Sequence, residues 1–209
     1  MTTAVTLDYI LLGRFLATAA ERLEEMRAEL SALDGEVGDG DHGASMADGF
    51  RAASLGFAKA GGEDVPAALR AAGESFLQSV GATVGPLYAT AFVEAAKRVE
   101  DGRIGLADLL SAFNDGIVRR GNAAPGDCTM IDVWDPAARA ARDAGAGSIG
   151  AALDAGRAGL EATRTMIASR GRAARLGSRT LGQLDPGASS AVVILSALAE
   201  VLGEPEARG

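Results

Sequence analysis

The chain has 209 residues, 48% of them hydrophobic and only 4% aromatic, with 28 acidic against 20 basic side chains. That length suits one domain able to bury about 70% of its extended-chain surface, and a net charge of −8 without a basic stripe argues against nucleic-acid binding. A single cysteine, Cys128, excludes an intramolecular disulfide, and the most apolar stretch, Ser189 to Leu202, is interrupted by Glu200 and too short to span a bilayer.

Met1 to Leu7 carries no basic residue, so no secretory leader is expected and the protein reads as cytoplasmic, away from membranes. Alanine, leucine and arginine dominate and alternating β-branched runs are absent, which predicts an all-α chain without strands. The first element is a long amphipathic helix over about residues 5–32, on the stripe Leu12, Phe15, Ala19, Leu23, Met26, Leu30 and Leu33. Further helices follow near 43–60, 64–80, 85–99, 105–120, 128–145, 148–169 and 186–203, broken by Gly, Pro and Asp. The last contains AVVILSALAEVL, apolar around most of its circumference, and belongs deep in the core. Eight helices with mostly short connections predict one domain over 1–209, an eight-helix antiparallel up-and-down barrel or bundle.

In such an arrangement alternate helices begin at the same end. The breaks before the second, fourth, sixth and eighth helices read LDGEVGDGDHGAS, VGATVGPLYA, RGNAAPGDCTM and SRGRAARLGSRTLGQLDPGASS. The intervening breaks AGGEDVP, EDGRIG and DAGAGS hold no comparable concentration of distinctive groups. The unusual chemistry therefore gathers at one end of the molecule.

The first of these breaks places Asp34, Asp39 and Asp41 within eight residues, with Gly38, Gly40 and Gly43 among them. Three carboxylates this close repel one another unless a cation lies between them. Hard oxygen donors on a flexible loop suit Mg²⁺, and the spacing and terminal glutamate of a calcium-binding EF-hand are missing. The alternative reading is a solvated acidic turn, with Asp41 capping the second helix. His42, the sole histidine, follows directly; Mg²⁺ prefers oxygen, so His42 is assigned to nucleotide contact and not to metal ligation.

The other three breaks have the features of anion holders. Thr83 offers a hydroxyl and an amide just before Gly85-Pro86, and Asp185-Pro186-Gly187-Ala188 is a capping aspartate followed by proline and small residues. Arg172 lies in the most basic break with Arg170, Arg175 and Arg179, and one of these suits a phosphate, the others the surface. Met130 offers an adaptable apolar surface for an adenine ring, although a core role is commoner for methionine, while Cys128 and Trp134 are expected to pack. No Walker-type phosphate loop is present.

The segments LDGEVGDGDHG, GPLYATAF, GDCTMIDVWDPA, GRAARLG and LDPGASS resemble the L subunit of dihydroxyacetone kinases, in order and across almost the whole chain. The same unit forms the C-terminal domain of single-chain, ATP-dependent dihydroxyacetone kinases. The resemblance implies an eight-helix barrel with ADP or ATP at one mouth. Asp34, Asp39 and Asp41 match the family's D-x4-D-x-D pattern, which binds two Mg²⁺ ions bridging the nucleotide phosphates. It further implies nucleotide contacts at His42, Gly43, Ala44 and Ser45, at Thr83, Val84, Gly121, Met130 and Arg172, and at Asp185, Pro186 and Gly187.

In this family the ketose is held covalently on a separate K subunit, and in one branch a phosphohistidine M subunit recharges the bound ADP. The resemblance thus implies a K-type partner and, in that branch, an M-type one. The usual phosphate loop, Gly-Gly-Ala/Ser-Ser-Gly-Pro, here reads Gly81-Ala82-Thr83-Val84-Gly85-Pro86, with Val84 in place of a hydroxyl donor. After Gly171-Arg172-Ala173 the chain has Ala174-Arg175 where Ser-Tyr is common. Related kinases of erythrulose, another sugar or a fatty acid, and a nucleotide-sensing module without transfer activity, are the alternative readings.

Overall fold

The computed structural model describes residues 5–62, 64–81, 83–144 and 148–203. Ala82 of the glycine-rich break, Gly145 at the end of the expected sixth helix, and the ends of the expected 1–209 domain (1–4 and 204–209) lie outside the described residues. The elements in chain order are β1 (Thr6–Leu7), α1 (Tyr9–Glu25), α2 (Arg27–Val37), α3 (His42–Lys59), α4 (Val65–Ser79) and α5 (Val84–Lys97). Then follow β2 (Ile104–Gly105), α6 (Leu106–Gly121), α7 (Ile131–Asp143), α8 (Ile149–Thr163), a 3₁₀ segment (Ala173–Thr180) and α9 (Pro186–Leu202).

From α3 onward each helix packs against the next, and α1 packs against both α3 and α9, so the ring of helices closes into an antiparallel barrel. Its interior is filled by a chain of aromatic rings. Phe50 meets Phe76 and Tyr88, each at 5.5 Å between centroids, and Phe92 meets Phe113 at 5.3 Å, which in turn meets Trp134 at 5.3 Å. These rings are almost fully buried, and their edge-to-face and tilted packing is the geometry aromatic quadrupoles favour. No described helix is long and apolar enough to cross a membrane.

Besides the run of α2 on to Val37, which puts Asp34 in a helix and not on a loop, four details differ from the expectation. The first helix breaks at Met26, whose φ of −89° and ψ of 1° leave the helical region. The apolar stripe continues through the break, with Leu23 and Leu30 both fully buried, because a turn at one residue leaves the three-and-four spacing intact. The second detail is the antiparallel pair β1–β2, with Thr6 opposite Gly105 and Leu7 opposite Ile104. Two residues per strand are too few for an alternating pattern to be seen.

The third is the start of α7 at Ile131 and not near 128. Cys128 has φ +59°, and the Asp132 carboxylate accepts hydrogen bonds from the amides of Gly126 and Thr129 (2.8 Å for Thr129), which holds a turn there. The fourth is the end of α8 at Thr163 and not near 169. The hydroxyls of Thr163 and Thr165 donate to the carbonyls of Leu160 (2.6 Å) and Ala162 (3.0 Å), competing for the acceptors that a continuing helix would use.

Candidate nucleotide site at one mouth of the barrel

The helix starts differ between the two ends of the barrel. At one end Asp8, Asp64 and Ser148 cap α1, α4 and α8, accepting from the amides of Leu11 (3.0 Å), Ala67 (2.8 Å) and Ala151 (3.3 Å), while α6 begins at Gly105 without a side-chain cap. At the other, among the described residues, Asp41, Thr83 and Met130 do not cap α3, α5 and α7 with their own side chains, although Asp34 takes the His42 amide of α3 (3.2 Å) and the Thr129 hydroxyl takes the Ile131 amide of α7 (3.2 Å). First-turn amides not taken by a cap, with the positive end of the helix dipole, are open to an anion. Asp185 is the exception at this end, accepting from the Ala188 amide at 2.7 Å at the start of α9.

These four helix starts surround a cavity of about 270 Å³. From the first break it is lined by Asp34, Asp41, His42 and Ser45, and from the second by Thr83 and Val84. Gly121 at the end of α6, Met130 before α7, Arg172, and Asp185, Pro186 and Gly187 complete it from the other side. Three residues proposed from the sequence are placed differently. Gly43 and Ala44 do not line the cavity, and Gly43 packs against the Arg27 carbonyl and Ser31 of α2 so closely that a β-carbon would collide. Asp39 also does not line the cavity.

Carboxylate oxygens of Asp34, Asp39 and Asp41 nevertheless lie within 4.8 Å of one another. Gly40, at φ +78°, supplies the left-handed turn that brings Asp39 and Asp41 to the same place as Asp34. Asp41 does not cap α3 with its side chain; the Asp34 carboxylate does so from the previous helix, accepting from the His42 amide at 3.2 Å. The guanidinium of Arg172 pairs with Asp39 and reaches Asp41 at 3.5 Å. A cation is thus already drawn to the carboxylate cluster, and an all-oxygen donor set of this size fits a hard divalent ion.

His42 is buried, and its Nε2 lies 2.9 Å from the Ser190 hydroxyl of α9. The Ser190 hydroxyl, 3.0 Å from the Gly187 carbonyl, donates to it, and its oxygen faces the ring. Burial pulls the imidazole pKa down, against the pull of Asp34 and Asp41. Burial likewise pushes Asp185 up to about 7, helped by the negative charges of Asp132 and Asp34 and opposed by the amides it caps. The Cys128 thiol is pushed up to about 12 by burial and by Asp185 and Asp132, so the wall cysteine stays protonated and is no nucleophile.

Sequence reasoning missed several participants. Leu87, Ile117, Ala123 and Thr129 line the cavity, and Ser190 orients the histidine. Ser190 is fully buried and follows the capping Asp185 by five residues, but α9 also carries Ser189 and Ser196, and nothing in the sequence singles one serine out. Asp127 and Asp132 sit inside the GDCTMID segment, where the sequence reading placed a break and a helix start and gave neither carboxylate a role.

Residues 36–200 match the family model described as the DAK2 domain. The chain is 37% identical over 188 residues to the "PEP-dependent dihydroxyacetone kinase 1, ADP-binding subunit DhaL" of Listeria innocua, covering 88% of this chain and 92% of that one. It is 37% identical over 180 residues to the corresponding ADP-binding subunit DhaL of Escherichia coli, covering 81% of this chain and 86% of that one. Among solved structures, the dihydroxyacetone kinase of C. freundii in complex with AMP-PNP and Mg²⁺ superposes with a TM-score of 0.74 at 28% identity. That match covers 95% of this chain and 35% of the larger kinase. The chain belongs to the DAK2 domain family.

Proposed function

We propose that this chain is the nucleotide-carrying subunit of a dihydroxyacetone-type kinase. In this reading the domain holds ADP or ATP with two magnesium ions in the mouth of the barrel. The phosphoryl group passes between the nucleotide and a ketose held by a separate K-type subunit. One observation carries the reading: four helix starts and a three-carboxylate cluster converge on a single cavity.

Asp34, Asp39 and Asp41 are the residues that would hold the magnesium, which when bound neutralises charge on the phosphates. Amides at the starts of α3 and α5 orient the phosphates, and Met130, Leu87 and Ile117 supply an apolar wall that keeps water from the base. His42, held by Ser190, keeps a fixed ring orientation beside the phosphate end. The hydroxyl paired with His42, that of Ser190, is fully buried and donates to the Gly187 carbonyl, so it is not read as a nucleophile, and activation of the ketose is assigned to the partner. An M-type phosphohistidine donor is the second partner where the nucleotide stays bound, and a cytoplasmic setting suits both.

The test is isothermal titration with ADP and ATP, with and without Mg²⁺. The expected result is binding of both nucleotides that weakens by about tenfold or more in EDTA. Magnesium-independent binding, or none, would overturn the reading.

A further inference from the structure

Between α8 and α9 the chain runs from Arg164 to Leu184 with five arginines and not one carboxylate, on a protein of net charge −8. This strap is pinned at its ends. The Gly182 amide donates to the Arg164 carbonyl at 2.7 Å, and the Asp185 amide donates to the Thr163 hydroxyl oxygen at 3.2 Å. Between those pins, Asp127 is the residue from outside the strap that takes hold of it most fully. Its Oδ1 accepts from the Ser169 hydroxyl at 2.6 Å, its Oδ2 from Arg170 Nε at 3.1 Å, and its carbonyl from the Ser169 amide at 3.1 Å. The Ala124 amide donates to the same Oδ2 at 2.9 Å and fixes the carboxylate on its own turn.

Two residues beyond Arg170 comes Arg172, whose guanidinium reaches the Asp39–Asp41 pair across the cavity mouth. Gly171 separates them at φ +63°, a left-handed turn that lets neighbouring arginines face different partners. Arg170 is therefore tied down so that Arg172 stands over the anion-holding end.

We propose that Asp127 is a positioning residue for Arg172: it latches the arginine strap across the cavity mouth and thereby sets how tightly the phosphate end of a nucleoside diphosphate is retained. This rests on the nucleotide-carrying reading above. A turn-forming aspartate alone has no reason to bind side chains 42 and 43 residues away; a latch does.

Two measurements test it on the full chain. In stopped-flow displacement of a fluorescent ADP analogue with Mg²⁺, D127N and R172M are each expected to raise the dissociation rate about tenfold, with the double variant no faster than either. In the ligand-free protein, D127N is expected to speed tryptic cleavage at Arg172 and Arg175 at unchanged Tm, and R170M, which removes the other half of the pair, to do the same. D127N within twofold of wild type, or strictly multiplicative effects of D127N and R172M, would overturn the latch. If wild type fails to bind Mg-ADP, the nucleotide reading falls, and unchanged cleavage in D127N and R170M then refutes the latch on its own.

Discussion

Asp185 gives the most direct physical test of the cavity, because its carboxyl is held near neutrality, at about 7, against an ordinary value of 3.8. A carboxyl whose folded pKa is raised binds more protons in the native state than in the unfolded one at intermediate pH. Stability therefore falls as pH rises from about 4 to 7, and the loss is complete above the folded pKa. Linkage puts the change between pH 5 and pH 8 at about 2.6 kcal/mol. Asp185 keeps part of its surface on the open cavity, so solvent screening lowers the expectation to about 2 kcal/mol.

The perturbation is Asp185→Asn, which removes the titration while its amide oxygen still caps α9 by accepting from Ala188. Thermal unfolding followed by circular dichroism, in EDTA and without nucleotide, measures the difference between variant and wild type at both pH values. The variant is expected to gain about 4–8 °C on wild type between pH 5 and pH 8. A Tm difference that is the same at both pH values, or that moves in the opposite direction, would refute the reasoning.

Gly43→Ala forces a methyl group onto the Arg27 carbonyl and Ser31 at the α2–α3 contact; a loss of about 1–3 kcal/mol in urea unfolding is expected, and a loss near zero would contradict the close approach. Val84→Ser restores a hydroxyl at the start of α5; calorimetric ADP affinity is expected to rise about threefold to tenfold, with a modest stability loss because Val84 is buried. An unchanged affinity would place the phosphates away from α5.

The apolar spacing carried most of the fold. Buried faces of α3, α4, α5, α6 and α9 follow the three-and-four repeat, and the boundaries expected for them match to within about three residues, the usual fraying of helix ends. The end at which the chemistry gathers was also legible, because an up-and-down order places alternate breaks together whatever the detailed packing. The carboxylates of Asp34, Asp39 and Asp41 are near neighbours in sequence, so local backbone geometry alone could bring them together.

What the tertiary structure decided is every partnership across the ring. Arg172 reaches Asp39 over 133 residues, His42 reaches Ser190 over 148, and Asp127 holds Arg170 over 43. Helix periodicity says which face a residue is on, not which of several arginines or hydroxyls closure of the barrel will bring opposite it. The turn at Met26 and the β1–β2 pair were hidden for a related reason: each spans too few residues to alter a periodic pattern.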